Sequence, residues 1–154
     1  MNYLNAPWRN KYYNEDKNKC PFCNESETLL YEATHSRVIM NKYPYSPGHI
    51  LIIPKVHVEF LKDLDDEVWL EMAKIAKFAE SLMFDILKAQ GVNMGFNLGD
   101  AAGAGLAKHL HFHILPRWYK DTNFITTIAN TRVLGTSLDE LYEKLKEGFK
   151  NYNV

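Results

Sequence analysis

The chain has 154 residues, of which 46% are apolar and 24% charged, as is typical of one globular domain with a true core. A formal net charge of −1 gives no electrostatic reason to expect nucleic-acid or membrane binding. Two cysteines and no leader-like start predict a cytoplasmic protein in a reducing compartment. We expect a single domain over residues 1–154, with an aromatic arm at 1–19 and the core at 20–150.

The first chemical motif is the pair Cys20 and Cys23, in the order Cys-Pro-Phe-Cys. Three interpretations stay open. A redox pair should follow an apolar strand and open a helix, but polar residues lie on both sides of this one. Half of a zinc site would need two more ligands from elsewhere in the chain. The third interpretation is two ordinary thiols that bind no metal.

Strand and turn patterns follow this motif. Residues 28–31 and 37–40 predict a hairpin, and residues 44–48 have the composition of a turn. Residues 49–53 form an apolar run rich in β-branched side chains, which predicts a buried strand that Pro54 stops.

Two helices are predicted, with strands between them. The long helix covers residues 64–90, with Asp63 as its N-cap and Gly91 at its end, and residues 92–98 form a strand. Ser137 to Glu140 read as a capping box that opens a second helix, which runs to about residue 150 with Leu138 among its inward side chains. The fold class is therefore α+β, with an antiparallel sheet of about five strands, one long helix and a C-terminal helix.

The most informative stretch is the alternation of His109, His111 and His113 with apolar residues. On a strand the three imidazoles share one face, while the intervening side chains pack on a core. Such a row suits metal ligation or a nucleophilic histidine whose neighbours fix its tautomer; a solvated histidine-rich face is the third alternative. The preceding Gly103-Ala104-Gly105 offers main-chain amides for an anion, which favours transfer at phosphorus.

Residues 109–115, in the order His-Leu-His-Phe-His-Ile-Leu, resemble the signature of the histidine triad family of nucleotide hydrolases and transferases. Residues 116–118, with Asp121, Asn123 and Phe124, are most similar to its diadenosine tetraphosphate phosphorylase branch. The resemblance implies a homodimer whose two sheets meet side by side. It also implies a nucleotide or dinucleotide substrate cleaved through a nucleotidyl-histidine, by phosphorolysis or by hydrolysis.

The resemblance also assigns roles. His111 is the expected nucleophile, and the expected supporting residues are His113, His49, Asn97 and the amides of residues 103–105. Asn41 would bind ribose and Trp118 would stack on a base, although a turn residue and a core tryptophan are the plain alternatives. A structural zinc would be held by four residues: Cys20, Cys23, His57 and His109.

Two departures and three rival functions keep the activity open. Gly103-Ala104-Gly105 stands where the phosphorylase branch usually has Gly-Gly-Ser, and Lys120 replaces its glycine before Asp121. Loss of the serine hydroxyl would weaken binding of the attacking phosphate and leave water as the acceptor. The resemblance itself favours phosphorolysis, so both hydrolysis and phosphorolysis stay open. The rivals are a purine nucleoside phosphoramidate hydrolase of the same family, a zinc metalloenzyme that uses the histidine row, and a non-catalytic nucleotide-binding protein.

Overall fold

The computed structural model describes residues 20–24, 27–103, 108–121, 128 and 137–152. The described part of the chain forms a five-stranded antiparallel sheet with the strand order β1-β2-β3-β5-β4, which confirms the α+β prediction. The strands are β1 (Leu29–Glu32), β2 (Ser36–Met40), β3 (Ile50–Pro54), β4 (Gly91–Gly95) and β5 (Phe112–Arg117). The helices are α1 (Asp66–Asp85) and α2 (Leu138–Phe149).

The two faces of the sheet carry apolar clusters of different size, and β3 contributes side chains to both. Ile50 and Ile52 join the main core beneath α1, while Leu51 and Ile53 form a smaller apolar cluster with Ile39 on the other face. Side chains alternate along a strand, so each residue on the open face comes one position after a core residue. The functional side chains described below lie on this second face, away from the helices.

Helix α1 is shorter at both ends than the predicted span of residues 64–90. Residues 61–63 form a separate 3₁₀ turn, and Asp65, not Asp63, is the N-cap. At the other end Lys88 takes a left-handed conformation with φ of 54°, and Gly91 opens β4 instead of ending the helix. The main-chain amide of Gln90 bonds to the carbonyl of Arg117, so the last residues of the predicted helix pair with the sheet instead. No helix among the described residues is long and apolar enough to cross a membrane.

Helix α2 begins at Leu138 as expected, but two details of the prediction are wrong. Ser137 occupies the N-cap position without a side-chain hydrogen bond, so the predicted capping box does not form there. Leu138 is 37% exposed, whereas Gly148 is buried and lies against Ile86 and Leu82 of the α1 end. The helix therefore approaches α1 through a glycine, which a count of large apolar residues cannot foresee.

The histidine row is not one continuous strand. Strand β5 begins at Phe112, so His109 and His111 precede it, and His109 lies in a bend. The main-chain amide of Leu110 bonds to the carbonyl of Val58, so residues 109–111 lie beside the loop that follows β3. Leu110, Phe112 and Ile114 still pack in the main core, so the alternation of faces holds although the strand starts later.

Candidate active site and metal centre

Strand pairing brings His113 and His49 together on the open face of the sheet. His113 pairs with Leu51 on β3 and with Gly95 on β4. His49 lies two residues before Leu51 and therefore on the same face, diagonally across from His113. A side chain added at Gly95 would meet nothing within 4 Å, so space is open beside the His113 imidazole.

His49 and His113 share a hydrogen bond of 2.9 Å between Nε2 of His49 and Nδ1 of His113. The main-chain amide of Tyr45 donates to Nδ1 of His49 over 3.1 Å, so that nitrogen carries no proton. Neutral His49 then has its proton on Nε2 and donates it to His113. Neutral His113 in turn carries its proton on Nε2. The nearest side-chain atom, Nδ2 of Asn97 at 3.4 Å, is itself a donor and cannot accept this proton, which therefore stays available to a ligand.

His111 has the opposite tautomer. Its Nδ1 donates to the carbonyl oxygen of His109 over 2.8 Å, which leaves the lone pair on Nε2 unprotonated. The ring lies 4.8 Å from that of His113, centroid to centroid, in an edge-to-face arrangement. A bare Nε2 beside a protonated Nε2 is the pairing that a nucleophile and a proton donor require.

Burial keeps these imidazoles neutral. Desolvation, helped by the neighbouring imidazoles, lowers the pKa of His49 to about 3, and desolvation lowers the pKa of His113 to about 4. Burial also lowers the pKa of His111, although its bond to the His109 carbonyl acts in the opposite direction. At neutral pH all three rings are uncharged, so the lone pair of His111 stays available.

A second cluster joins Cys20, Cys23, His57 and His109, whose ligand atoms all lie within 4.8 Å of one another. The Cys20 Sγ is 3.3 Å from Nδ1 of His109, and the Cys23 Sγ is 3.1 Å from Nδ1 of His57. Zinc bound tetrahedrally at the usual bond lengths separates sulfur and nitrogen ligands by about 3.5 Å, so these spacings fit with shifts of a few tenths of an ångström.

The tautomer of His109 also suits a metal ligand. Its Nε2 donates to the carbonyl of Pro54 over 2.8 Å, which leaves Nδ1 bare and directed at the thiols. Burial raises the pKa of Cys20, so without a cation this thiol keeps its proton and can donate it to Nδ1 of His109; a divalent ion would displace that proton. The residues present therefore fit zinc. Among the described residues, His111 and His113 do not belong to this group of possible metal ligands.

Sequence reasoning missed two aromatic residues at the site. The ring of Phe22 packs 5.1 Å from that of His111, and the ring of Tyr45 lies 4.9 Å from His49 and 5.8 Å from His113. Phe22 stands inside the Cys-x-x-Cys motif, so a metal site near the triad would have indicated its position. Tyr45 gave no such signal, because its contact depends on how the 44–48 turn folds back on His49.

The structure gives the surroundings of residues predicted to bind substrate, and their substrate contacts stay predictions. The indole of Trp118 packs with the helix-side core and donates to the carbonyl of Lys88, so it is not brought to the histidines of this chain. The amide of Asn41 contacts His49 and the amide of Tyr43. Gly103 is exposed with φ of 81°, while Ala104 and Gly105 lie outside the described residues, so the anion cradle stays a prediction.

Comparison with known proteins agrees with this architecture. A family model described as the HIT domain matches residues 24–119. The AP-4-A phosphorylase of Mycobacterium tuberculosis is 41% identical over 96 residues, 62% of this chain and 49% of that protein. Adenylylsulfatase HINT3 of Arabidopsis thaliana is 34% identical over 110 residues, 68% of this chain and 55% of that protein. The chain thus spans about half the length of these two curated relatives.

Among solved structures, a Zn-bound histidine triad family protein from Mycobacterium smegmatis superposes with a TM-score of 0.71 at 26% identity. The superposition covers 88% of this chain and 96% of the other. Family signature, fold and the geometry of the histidine pair point the same way, and the chain belongs to the HIT (histidine triad) family.

Proposed function

We propose that this protein cleaves dinucleoside polyphosphates through a covalent nucleotidyl-histidine on His111. The observation that carries the proposal is the bond from Nδ1 of His111 to the carbonyl of His109, which leaves Nε2 as a free nucleophile. The similarity to an AP-4-A phosphorylase over residues shared with the HIT domain supports the choice of substrate class.

In the first step the lone pair on Nε2 of His111 forms a bond to the α-phosphorus of the bound nucleotide. The bond from that phosphorus to its bridging oxygen breaks, and the electron pair leaves with the oxygen. The protonated Nε2 of His113 donates a hydrogen bond or a proton to the departing oxygen. Asn97 and the amides near Gly103 would stabilise charge on the transferred group, each at about 3 kcal/mol of barrier.

In the second step an oxygen of water or of inorganic phosphate attacks the phosphorus, the phosphorus–nitrogen bond breaks, and its electron pair returns to Nε2 of His111. Any proton that the attacking group loses restores the one His113 gave to the leaving group. Diadenosine tetraphosphate then yields ATP with AMP by hydrolysis, or ATP with ADP by phosphorolysis. The departure from Gly-Gly-Ser at residues 103–105 favours neither outcome enough to choose. Cleavage of nucleoside phosphoramidates is a second candidate, since the same proton donor would serve an amine leaving group.

We also propose a structural zinc at Cys20, Cys23, His57 and His109. Its support is the compact donor set and the solved Zn-bound relative. When bound, the ion would tie the loop that carries Phe22 to the residue preceding the catalytic strand. It supplies no chemistry at phosphorus in this mechanism.

A homodimer is the proposed assembly. Within the described residues β4 is the last strand on its side of the sheet, and Met94 and Leu98 are 39% and 40% exposed. An unpaired edge with apolar side chains is a surface that a second copy can cover.

The deciding experiment combines rapid quench with product analysis. Diadenosine tetraphosphate labelled at the α-phosphates should give an acid-labile adduct on wild-type protein and none on His111→Asn, with both proteins folded. His35→Asn is the matched control, because His35 lies in the β1–β2 turn and its main chain bonds to Glu71 of α1. Full turnover by His111→Asn would refute the proposal, and ADP that appears only with added phosphate would establish phosphorolysis.

A further inference from the structure

Two donors converge on one nitrogen of the buried His49. The main-chain amide of Tyr45 and the side-chain Nδ2 of Asn41 each lie 3.1 Å from Nδ1 of His49. The orientation of the Asn41 amide is determined by its other end, because Oδ1 accepts the main-chain N–H of Tyr43 over 3.0 Å. Nδ2 therefore faces His49 and donates to it.

This arrangement gives the hydrogen bonds a single direction. With Nδ1 of His49 accepting two donors, the proton of the neutral ring must be on Nε2, where it is donated to Nδ1 of His113. His113 must then carry its own proton on Nε2, at the open side of the site. The chain of hydrogen bonds therefore begins at the donors of residues 41–45 and ends at Nε2 of His113, the atom that would face the substrate.

We propose that Asn41 is a positioning residue that, together with the Tyr45 amide, holds His113 in the tautomer that protonates the leaving group. This inference rests on the proposed function and adds to it the residues that determine the direction of proton donation. It differs from the ribose contact expected for Asn41, since it acts through His49. The second hydrogen of Nδ2 and the second lone pair of Oδ1 leave a ribose contact possible as well.

Burial makes the protein donors necessary. His49 has no exposed surface, and the ring of Tyr45 covers both His49 and His113. The donors that reach Nδ1 of this buried ring are the two protein groups, so the tautomer depends on them. Loss of the Asn41 amide leaves only the Tyr45 amide to oppose the wrong tautomer and to hold the His49 ring in place.

Nitrogen-15 NMR of histidine-labelled protein tests the direction of the chain without any substrate. We expect His49 and His113 to be protonated on Nε2 and His111 on Nδ1, three neighbouring rings with two different tautomers. Resonances are assigned by loss of single signals in His49→Gln, His111→Asn and His113→Gln. A proton on Nδ1 of either His49 or His113 in wild-type protein would overturn the inference.

Kinetics of Asn41→Ala then tests the role of the residue. The two substrates are the p-nitrophenyl ester of AMP, whose leaving group needs little protonation, and an alkylamine phosphoramidate of AMP, whose leaving group must be protonated. We expect kcat for the phosphoramidate to fall about five- to tenfold, as for one lost hydrogen bond, and kcat for the ester to change less than about twofold. Asn93→Ala is the matched control, because Asn93 bonds to Arg117 and not to a histidine.

Each kinetic outcome is decisive. A rise in KM that is equal for both substrates, with kcat unchanged, would assign Asn41 to ribose alone and overturn its positioning role. Equal loss of kcat on both substrates would overturn it too, because protonation of the leaving group would then not be the affected step. Wild-type protein inactive on every nucleotide would refute the proposed function, and the NMR spectrum would still decide the direction of the hydrogen bonds.

Discussion

Replacement of His49 by glutamine isolates what one buried imidazole contributes to the pH dependence of stability. In the folded protein, burial and the adjacent His113 and His111 hold the pKa of His49 at about 3, against 6.5 for an ordinary histidine. Glutamine is uncharged at every pH, and its amide can still donate to Nδ1 of His113. The substitution therefore removes one titration while it retains a hydrogen-bond donor.

The sign and size of the effect follow from this depressed pKa. Below about pH 6.5 the unfolded chain binds a proton on His49 that the folded protein refuses, so the free energy of unfolding falls as the pH falls. The slope approaches about 1.4 kcal/mol per pH unit for each such group. Between about pH 7.5 and about pH 4.5 the wild type should lose about 3 kcal/mol more than His49→Gln.

Urea unfolding followed by tryptophan fluorescence measures this difference at several pH values. Because other buried imidazoles also have lowered pKa values and titrate in both proteins, the comparison uses the difference between wild type and variant at each pH, never the absolute values. The two curves should converge toward acid pH by about 3 kcal/mol in total. Parallel curves would show that His49 titrates alike in folded and unfolded chains, which would refute the burial argument.

Three further substitutions, one of them paired with a control substitution, test separate parts of the structure. Cys23→Ser should weaken zinc binding about a hundredfold or more, measured by competition with a colorimetric chelator; an unchanged affinity would exclude the Cys/His cluster. Trp118→Phe should lower the free energy of unfolding by about 1 kcal/mol, because the bond to the Lys88 carbonyl is lost, and should leave KM unchanged. A higher KM would instead support stacking of Trp118 on a base. Lys120→Gly should raise stability by up to about 1 kcal/mol because φ is 66° there, while Lys144→Gly within α2 should lower it by about as much.

Local sequence patterns predicted those features of the fold that depend on a single segment of the chain. The alternation around Phe112 predicted which side chains enter the core, and the apolar run at 49–53 predicted the buried strand β3. The alternation follows from backbone geometry and therefore survives small errors in where an element begins. Helix ends were predicted less well, since the last turn before Gly91 is decided by competition with sheet pairing that the helical pattern does not contain.

The parts that sequence could not supply depend on long-range pairing. The bond between His49 and His113 joins residues 64 positions apart and depends on the register of β3 against β5. The contact of Trp118 with Lys88 and the direction of the Asn41 amide likewise depend on how distant turns meet. Resemblance to a family predicted that these residues matter, but only coordinates show which atom faces which.

His109 connects the two centres by using its ring for one and its main chain for the other. Its imidazole bonds to Pro54 and faces the thiol of Cys20, while its carbonyl oxygen accepts the proton of His111 Nδ1. A straight strand would set adjacent side chains on this face about 7 Å apart and leave the main-chain carbonyls engaged in pairing. Because β5 starts only at Phe112, the carbonyl of His109 is not used in strand pairing and can accept the Nδ1 proton of His111. The late start of the strand, which the histidine pattern did not reveal, is therefore what lets a single residue belong to the Cys/His cluster and also fix the tautomer of His111.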